Sequence, residues 1–383
     1  MKIAKRLCIG LLTVVIAAFS VMATYQLLVK TAMISGEVGK GGRTESANVA
    51  IMDRYDMYMT HEISDALEGV LEIEKVYWLS DADPVAPKPN AACIGSTNDP
   101  SSLAWLLEKA EKLLDGQETL FTTETEIAMN SEVVYYFDDT ILAITWKQNV
   151  DNVMYTFSEV KIADPSQFRR FLSGGEYGSE IQSLTSEMAS SVNAVVASSG
   201  DFYAHRRHGV IVYDRLVRRV NTWAIDTCYI DDNGDLLFSY AGELKTEEAA
   251  QAFVDKNNIR FSLAFGPVLV DNGVPRPSYQ YSEYIIGEGQ KEHARIALCQ
   301  RDKLHYFIVT AGQDVNRNCF RLPTLQEFQR HVVEFGCNMA YTLDGGQTAT
   351  LIMNNELMNC IVFDSERYIS DIIYFATAIP NGE

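Results

Sequence analysis

The longest uninterrupted apolar stretch lies near the start of the chain. Residues 7–28 carry no charged side chain, and as a helix rising about 1.5 Å per residue they are long enough to cross about 30 Å of hydrocarbon. Residues 35–48 turn polar and glycine-rich (Gly36, Gly39, Gly41, Gly42), the composition of a flexible stalk. A helical period follows in Leu103, Leu106, Leu107, Ala110 and Leu113, after the turn-forming Asp81-Ala82-Asp83-Pro84 and Pro87-Lys88-Pro89. Beyond Ser131 come short runs dense in branched and aromatic residues, at 132–137, 141–146 and 153–160, which predict strands. Helical patches are expected at 165–172 and 247–254, and Asn233-Gly234 is expected to turn a hairpin between 223–230 and 236–240. The order is irregular rather than strictly alternating. It predicts an α+β fold: a mixed, mainly antiparallel sheet with flanking helices, preceded by a single N-terminal transmembrane helix. The expected organisation is an anchor or signal peptide at 1–30, a stalk at 31–48, a partly helical spacer at 49–130 and a body at 131–383.

The best-defined local unit runs from Thr324 to Gly346. Thr324 and Glu327 have the spacing of a capping box, Leu325, Phe328, Val332 and Phe335 share one helical face, and Gly336 suits a left-handed C-terminal cap. A buried strand at 338–343 is expected next, delivering Asp344-Gly345-Gly346 at its carboxyl end, the edge where α/β architectures tend to place ligands. The two glycines remove side-chain bulk, so a ligand can approach the backbone, and successive N–H groups there could form an anion nest.

Composition narrows the partners. With 47% hydrophobic and 22% charged residues the chain is globular, neither disordered, collagen-like nor multi-spanning. Thirty-two Lys and Arg against fifty-one Asp and Glu leave a formal charge of −19, which repels phosphate backbones and argues against nucleic acid as a partner. Lys2, Lys5 and Arg6 precede the apolar stretch and only Lys30 closely follows it. The positive-inside rule then leaves the amino terminus in the cytoplasm and the body outside, as a single-pass protein of the cell membrane. A signal peptide cleaved near Val21-Met22-Ala23 is the alternative, giving a secreted protein. Both export the body. Of seven cysteines, Cys8 lies in the span; the other six allow 15 pairings with no recognisable framework and are expected mostly as buried thiols. Neither CxxC nor HExxH occurs, so no metal or cofactor is called for.

The segment Phe335-Gly336-Cys337-Asn338-Met339-Ala340-Tyr341-Thr342-Leu343-Asp344-Gly345-Gly346 resembles the terminal signature of the phosphodiester glycosidase family. Other pieces agree in order: Ser198-Ser199-Gly200-Asp201-Phe202-Tyr203, then Phe265-Gly266-Pro267-Val268-Leu269-Val270 with Asn272-Gly273, then His293-Ala294-Arg295-Ile296-Ala297, and finally Ser370-Asp371-Ile372-Ile373-Tyr374-Phe375. The resemblance spans roughly 131–376. It implies a hydrolase cleaving the bond between a sugar's anomeric carbon and a phosphodiester oxygen, in sugar-phosphate or anionic cell-surface glycans. Phosphate is already a good leaving group, so such a site needs to bind it, place a water and stabilise an oxocarbenium-like charge.

Asp344 and Asp201 are the candidate catalytic carboxylates. Asp344 would orient water or stabilise the sugar cation, and Asp201 with Ser199 would shape the opposite wall. Arg295 is the natural phosphate clamp through its planar fork, with His293 two residues away on the same strand face as a second donor. Gly345 and Gly346 give backbone access, and Thr348 stands where the family has a serine hydroxyl. Departures from the family pattern at Ser199, Ala311-Gly312-Gln313, Thr342 and Gln347 define the alternative, a catalytically degenerate glycan-binding or scaffold protein of the cell envelope. Asp231-Asp232-Asn233-Gly234-Asp235 has its glycine too early for a calcium loop and reads as a hairpin. The basic cluster His205-Arg206-Arg207-His208, with Arg215, Arg218 and Arg219 nearby, reads as a solvated hairpin or a landing surface for an anionic polymer.

Overall fold

The computed structural model describes residues 76–120, 132–201, 203–205, 207–221, 225–277 and 291–380. The expected membrane span and stalk lie outside the described residues, among which no helix is long and apolar enough to cross a membrane. Strands β1 (Ile94–Thr97), β2 (Val133–Asp138), β3 (Ile141–Val150), β4 (Val153–Ile162), β5 (Phe168–Leu172), β6 (Val196–Ser199), β7 (Gly209–Tyr213) and β8 (Leu216–Asn221) make up the first half. Then come β9 (Thr227–Asp231), β10 (Leu236–Ser239), β11 (Ile259–Leu263), β12 (Val268–Asp271), β13 (Val274–Pro275), β14 (Arg295–Asp302) and β15 (His305–Gly312). The last are β16 (Met339–Thr342), β17 (Leu351–Met353), β18 (Glu356–Leu357) and β19 (Asp371–Phe375). Among the described residues five α-helices are interspersed: α1 (Pro100–Lys109), α2 (Glu111–Leu114), α3 (Thr185–Ser191), α4 (Glu247–Asn257) and α5 (Leu325–Glu334).

Local turn chemistry makes the sheets antiparallel. Asp151-Asn152, Asp214-Arg215, Asn272-Gly273 and Asn354-Asn355 each place two successive residues at positive φ, the backbone of a tight turn whose twist matches the flanking strands. They join β3 to β4, β7 to β8, β12 to β13 and β17 to β18. A nine-stranded sheet results in the order β1-β2-β3-β4-β15-β14-β16-β12-β13, beside a five-stranded sheet β18-β17-β6-β19-β5 and a three-stranded sheet β10-β9-β11.

The burial pattern stacks these into layers. On one face of the large sheet, Ile141, Val160, Ile296, Leu298 and Ile308 pack with Phe168, Val196, Leu351, Ile373 and Phe375 of the five-stranded sheet. On its other face, Leu142, Ile144, Trp146, Phe157, Phe307 and Val309 pack with Leu103 and Leu106 of α1 and Leu325, Phe328 and Val332 of α5. Strand β4 is therefore buried along both faces, its polar Thr156, Ser158, Glu159 and Lys161 included.

Two expectations change. Residues 165–172 are not a helix: Asp164 and Gln167 cap one short turn, after which β5 pairs with β19 from Phe168↔Phe375 to Leu172↔Asp371. Strand β19, which pairs along its whole length, lies some two hundred residues away, and that pairing overrides the local helical spacing. The segment 76–120 is packed into the body rather than set apart as a spacer, since β1 pairs with β2 and α1 belongs to the same core. The hairpin around Asn233-Gly234 forms as expected between β9 and β10, with Asp231 Oδ1 accepting the N–H groups of Asn233 and Asp235.

Candidate active site

The site is built where β14 begins and β16 ends. The two strands are paired, Ala297 opposite Thr342, so the residues just before β14 meet those just after β16. Leu343 N–H donates to the Ile296 carbonyl at 3.0 Å and Gly346 N–H to the Ala294 carbonyl at 2.8 Å. Gly345 crosses β14 so closely that a Cβ there would lie 2.6 Å from the Ala294 oxygen, and Gly346 sits at φ +64°. Each position therefore excludes other residues for a separate reason, one for want of space and one for conformation.

The opposite wall is Phe265-Gly266-Pro267. Its register is fixed by Thr342, whose N–H and hydroxyl both donate to the Pro267 carbonyl, at 3.2 and 2.9 Å. Tyr341 is fully buried; its hydroxyl accepts from Phe265 N–H at 2.8 Å and donates to the Asp226 carbonyl at 2.7 Å. Asp226 in turn accepts Val268 N–H and pairs with Arg276. Leu325, the first residue of α5, contributes to the lining, beyond the Thr324–Glu327 capping box. Between these walls lies a cavity of about 160 Å³ lined by His293, Arg295, Asp344, Gly345 and Gly346.

Arg295 is 7% exposed. Its guanidinium donates to the Lys291 carbonyl at 2.7 Å, its Nε is buried without a hydrogen-bond partner, and among the described residues no carboxylate pairs with it. Burial lowers its pKa to about 10. A desolvated guanidinium without a counter-ion, opening on a cavity, is the electrostatic signature of an anion site.

Five of the eight expected site residues thus meet at one hollow, and three do not line it. The Thr348 hydroxyl is buried and donates to the Gly345 carbonyl at 2.6 Å. Ser199 is buried within β6, opposite Ile372 of β19. Asp201 is walled in: its carboxylate accepts Arg170 Nη2 at 2.8 Å, Tyr203 N–H at 3.0 Å and Ala264 N–H at 2.6 Å. The expected backbone nest is also smaller than its glycines suggest. Asp344 N–H already donates to the Gly200 carbonyl and Gly346 N–H to Ala294, which leaves the Gly345 N–H for a ligand.

Sequence reasoning missed Arg170, Asp371, Asp226 and Tyr341, the buried supports of these walls. A usable signal was present, since Arg170, Asp226 and Asp371 are charged residues inside or beside strongly apolar runs. Three arginines of the basic cluster have partners: Arg215 pairs with Asp81 and Asp232, Arg218 with Asp214, and Arg219 donates to the carbonyls of Tyr203 and His208. The six cysteines among the described residues are free, and of these only Cys360 is exposed. A larger depression of about 580 Å³ among Asp115–Glu118, Arg301–Lys303 and His305 is wider and carries charges of both signs. It holds none of the expected site residues, and its buried His305 is already engaged with Glu159 and Gln117, so the smaller cavity is the better candidate.

Every wall of that cavity falls within one stretch of sequence that also matches a known family. Residues 192–376 match the family model for phosphodiester glycosidases. The match starts at the C-terminal cap of α3, later than the 131 expected from sequence motifs, and includes both Arg295 and Asp344. A similar fold is seen in the catalytic domain of zebrafish N-acetylglucosamine-1-phosphodiester alpha-N-acetylglucosaminidase, auto-inhibited by its pro-peptide. That structure is 15% identical over 70% of this chain and 93% of its own, with a TM-score of 0.51. A hypothetical protein from Synechocystis is 13% identical over 62% of each chain, with a TM-score of 0.44. A putative exported protein from Burkholderia pseudomallei K96243 is 11% identical over 59% of this chain and 74% of its own, with a TM-score of 0.41. No curated protein matches the chain.

Proposed function

We propose that this protein is an extracytoplasmic phosphodiester glycosidase, hydrolysing sugar-1-phosphodiester bonds in cell-surface glycans. The observation that carries the reading is the shared cavity of Arg295 and Asp344: a buried cation with no carboxylate partner among the described residues and an acidic side chain, over a floor of glycine backbone. Arg295 binds the diester phosphate, with His293 as a second donor. Asp344 orients the attacking water or stabilises the positive charge that develops on the sugar as the phosphate departs. At about 160 Å³ the cavity is smaller than the roughly 300–1,000 Å³ of an ordinary small-molecule pocket, so it takes the scissile phosphate and adjoining sugar while the glycan chain stays outside. The uncharged stretch at 7–28 supports placement at the outer face of the cell membrane, with the amino terminus in the cytoplasm, or secretion if that stretch is removed.

The test is incubation of the protein with a panel of sugar-1-phosphodiesters while free reducing sugar is followed. Turnover is expected, with Asp344→Asn lowering kcat by about 10²-fold or more, the scale of losing a group that acts on the transition state. Full activity in that variant would remove the mechanism, and absence of turnover across the panel would remove the reaction. A second reading, a non-catalytic glycan binder, is favoured by Thr348, whose hydroxyl is committed to Gly345, and by Ser199, which does not line the cavity. Binding of an anionic polysaccharide without cleavage would select it.

A further inference from the structure

Behind the cavity lies a charged cluster that the proposed chemistry does not use. Arg170 on β5, Asp371 on β19 and Asp201 just beyond β6 have side chains 1%, 0% and 0% exposed. Arg170 Nη2 is 2.8 Å from both Asp201 Oδ1 and Asp371 Oδ2, its Nε donates to Asp371 Oδ2 at 3.0 Å, and its Nη1 donates to the Ser262 carbonyl. Asp371 Oδ2 also accepts Asp201 N–H at 3.3 Å. The packing is so close that a Cβ on Gly200 would lie 2.0 Å from Asp371 Oδ2. Two connections run from here to the cavity. Asp201 Oδ2 accepts the N–H of Ala264, the residue before the Phe265–Pro267 wall, and the Gly200 carbonyl accepts the N–H of Asp344 at 3.3 Å.

We propose that Asp201 is a positioning residue, clamped by Arg170 and Asp371, which holds the Phe265–Pro267 wall and the Asp344 backbone in register with each other. It touches no substrate. The inference rests on Asp344 being the reacting carboxylate of the proposed hydrolase. Its physical basis is acceptor count: a carboxylate serves the three donors that converge on Asp201, whereas an amide offers one oxygen and turns an N–H₂ toward at least one of them. Arg295 is carried on a different strand, β14, and is anchored to Lys291, so anion binding and the alignment of Asp344 are separable.

The experiment compares the full-length protein with its Asp201→Asn variant by hydrogen exchange, by titration with inorganic phosphate and by turnover of a sugar-1-phosphodiester. Exchange at Ala264 and Asp344 is expected to rise about tenfold or more while the β3–β4 hairpin and α5 exchange as before, the mark of a local opening. The phosphate Kd is expected to stay within about threefold, with kcat falling roughly 10- to 100-fold, as misplacement of a reacting group does. Unchanged exchange at both amides, a uniform rise across the body, or a loss of phosphate affinity matching the loss in kcat would each overturn the proposal. If the unsubstituted protein turns over no diester, the functional reading falls and the exchange pattern alone decides the positioning role. Should Asp201→Asn fail to fold, Asp371→Asn replaces it. Asp371→Asn keeps the Arg170–Asp201 pair but weakens the acceptor of Asp201 N–H, and exchange at the same two amides is expected to rise about threefold; no rise there would refute the role.

Discussion

Replacing Arg295 by Met should make the protein more stable and abolish its affinity for anions. Burial lowers the guanidinium pKa from 12.5 to about 10, which corresponds to roughly 3 kcal/mol of unfavourable charge burial at about 1.4 kcal/mol per pKa unit. Arginine remains charged in both folded and unfolded states below about pH 10, so this cost is constant across the neutral range and is relieved only in strong base. Met keeps most of the apolar stem and removes the charge, at the loss of one hydrogen bond to the Lys291 carbonyl worth about 1 kcal/mol. The balance is a gain of about 2 kcal/mol, or about 4 to 8 °C in Tm for a body of this size. The assay is thermal unfolding of both proteins with and without inorganic phosphate. Without phosphate the variant should melt higher; with phosphate at about a hundred times its Kd the unsubstituted protein gains about 2.7 kcal/mol and the variant nothing. A variant that melts lower than the parent in plain buffer, or that phosphate stabilises equally, would refute the claim that Arg295 is an uncompensated cation serving an anion site.

Other outcomes follow from the same geometry. Gly345→Ala brings a Cβ to 2.6 Å from the Ala294 carbonyl, where ordinary contact begins near 3.4 Å. Overpacking of this kind costs about 1–3 kcal/mol, and the displaced start of β14 should lower turnover by about 10²-fold, both measurable by calorimetry and steady-state kinetics. Thr324→Ala removes the N-cap of α5 and should cost about 1 kcal/mol, seen as a fall of about 2–4 °C in Tm. Burial raises the Asp371 carboxyl from 3.8 to about 8. The folded protein thus retains a proton that the unfolded chain releases, so this contribution to stability is complete below about pH 4 and is lost as pH rises toward 8. Denaturant titrations between pH 5 and 8 should show that decline, and Asp371→Asn should flatten it. Glu327 behaves oppositely, its carboxyl held down to about 2 by Arg321 and the Thr324 N–H. The capping box should therefore weaken as pH falls from about 4.5 toward 2, read as fraying of α5 by amide exchange.

Elements whose cause lies within a few residues were readable in advance. Helix α5 carries its own capping box and apolar face, α4 has its N-cap Thr246 and acidic first turn, and the Asn233-Gly234 hairpin supplies its own turn and side-chain acceptors. The turns at Asp151-Asn152, Asn272-Gly273 and Asn354-Asn355 are equally local and were there to be used. The strand at 168–172 is not legible locally, because Arg169 and Arg170 can be buried on it only beside β19 and the carbonyls and carboxylates that receive those guanidinium groups.

The candidate site divides in the same way. The ordered motifs that resemble a known family marked Arg295, Asp344 and the glycine pair, whose guanidinium, carboxylate and bare backbone have the capacities that such a site needs. Only the tertiary structure decided that β14 lies next to β16, which sets Arg295 and Asp344 around one hollow, and that Asp201 faces Arg170 instead of that hollow. The physical reason is range. Caps, turns and periodicity act over three or four residues and are written in the local sequence, whereas the burial of a charge is settled by partners contributed from strands up to two hundred residues away.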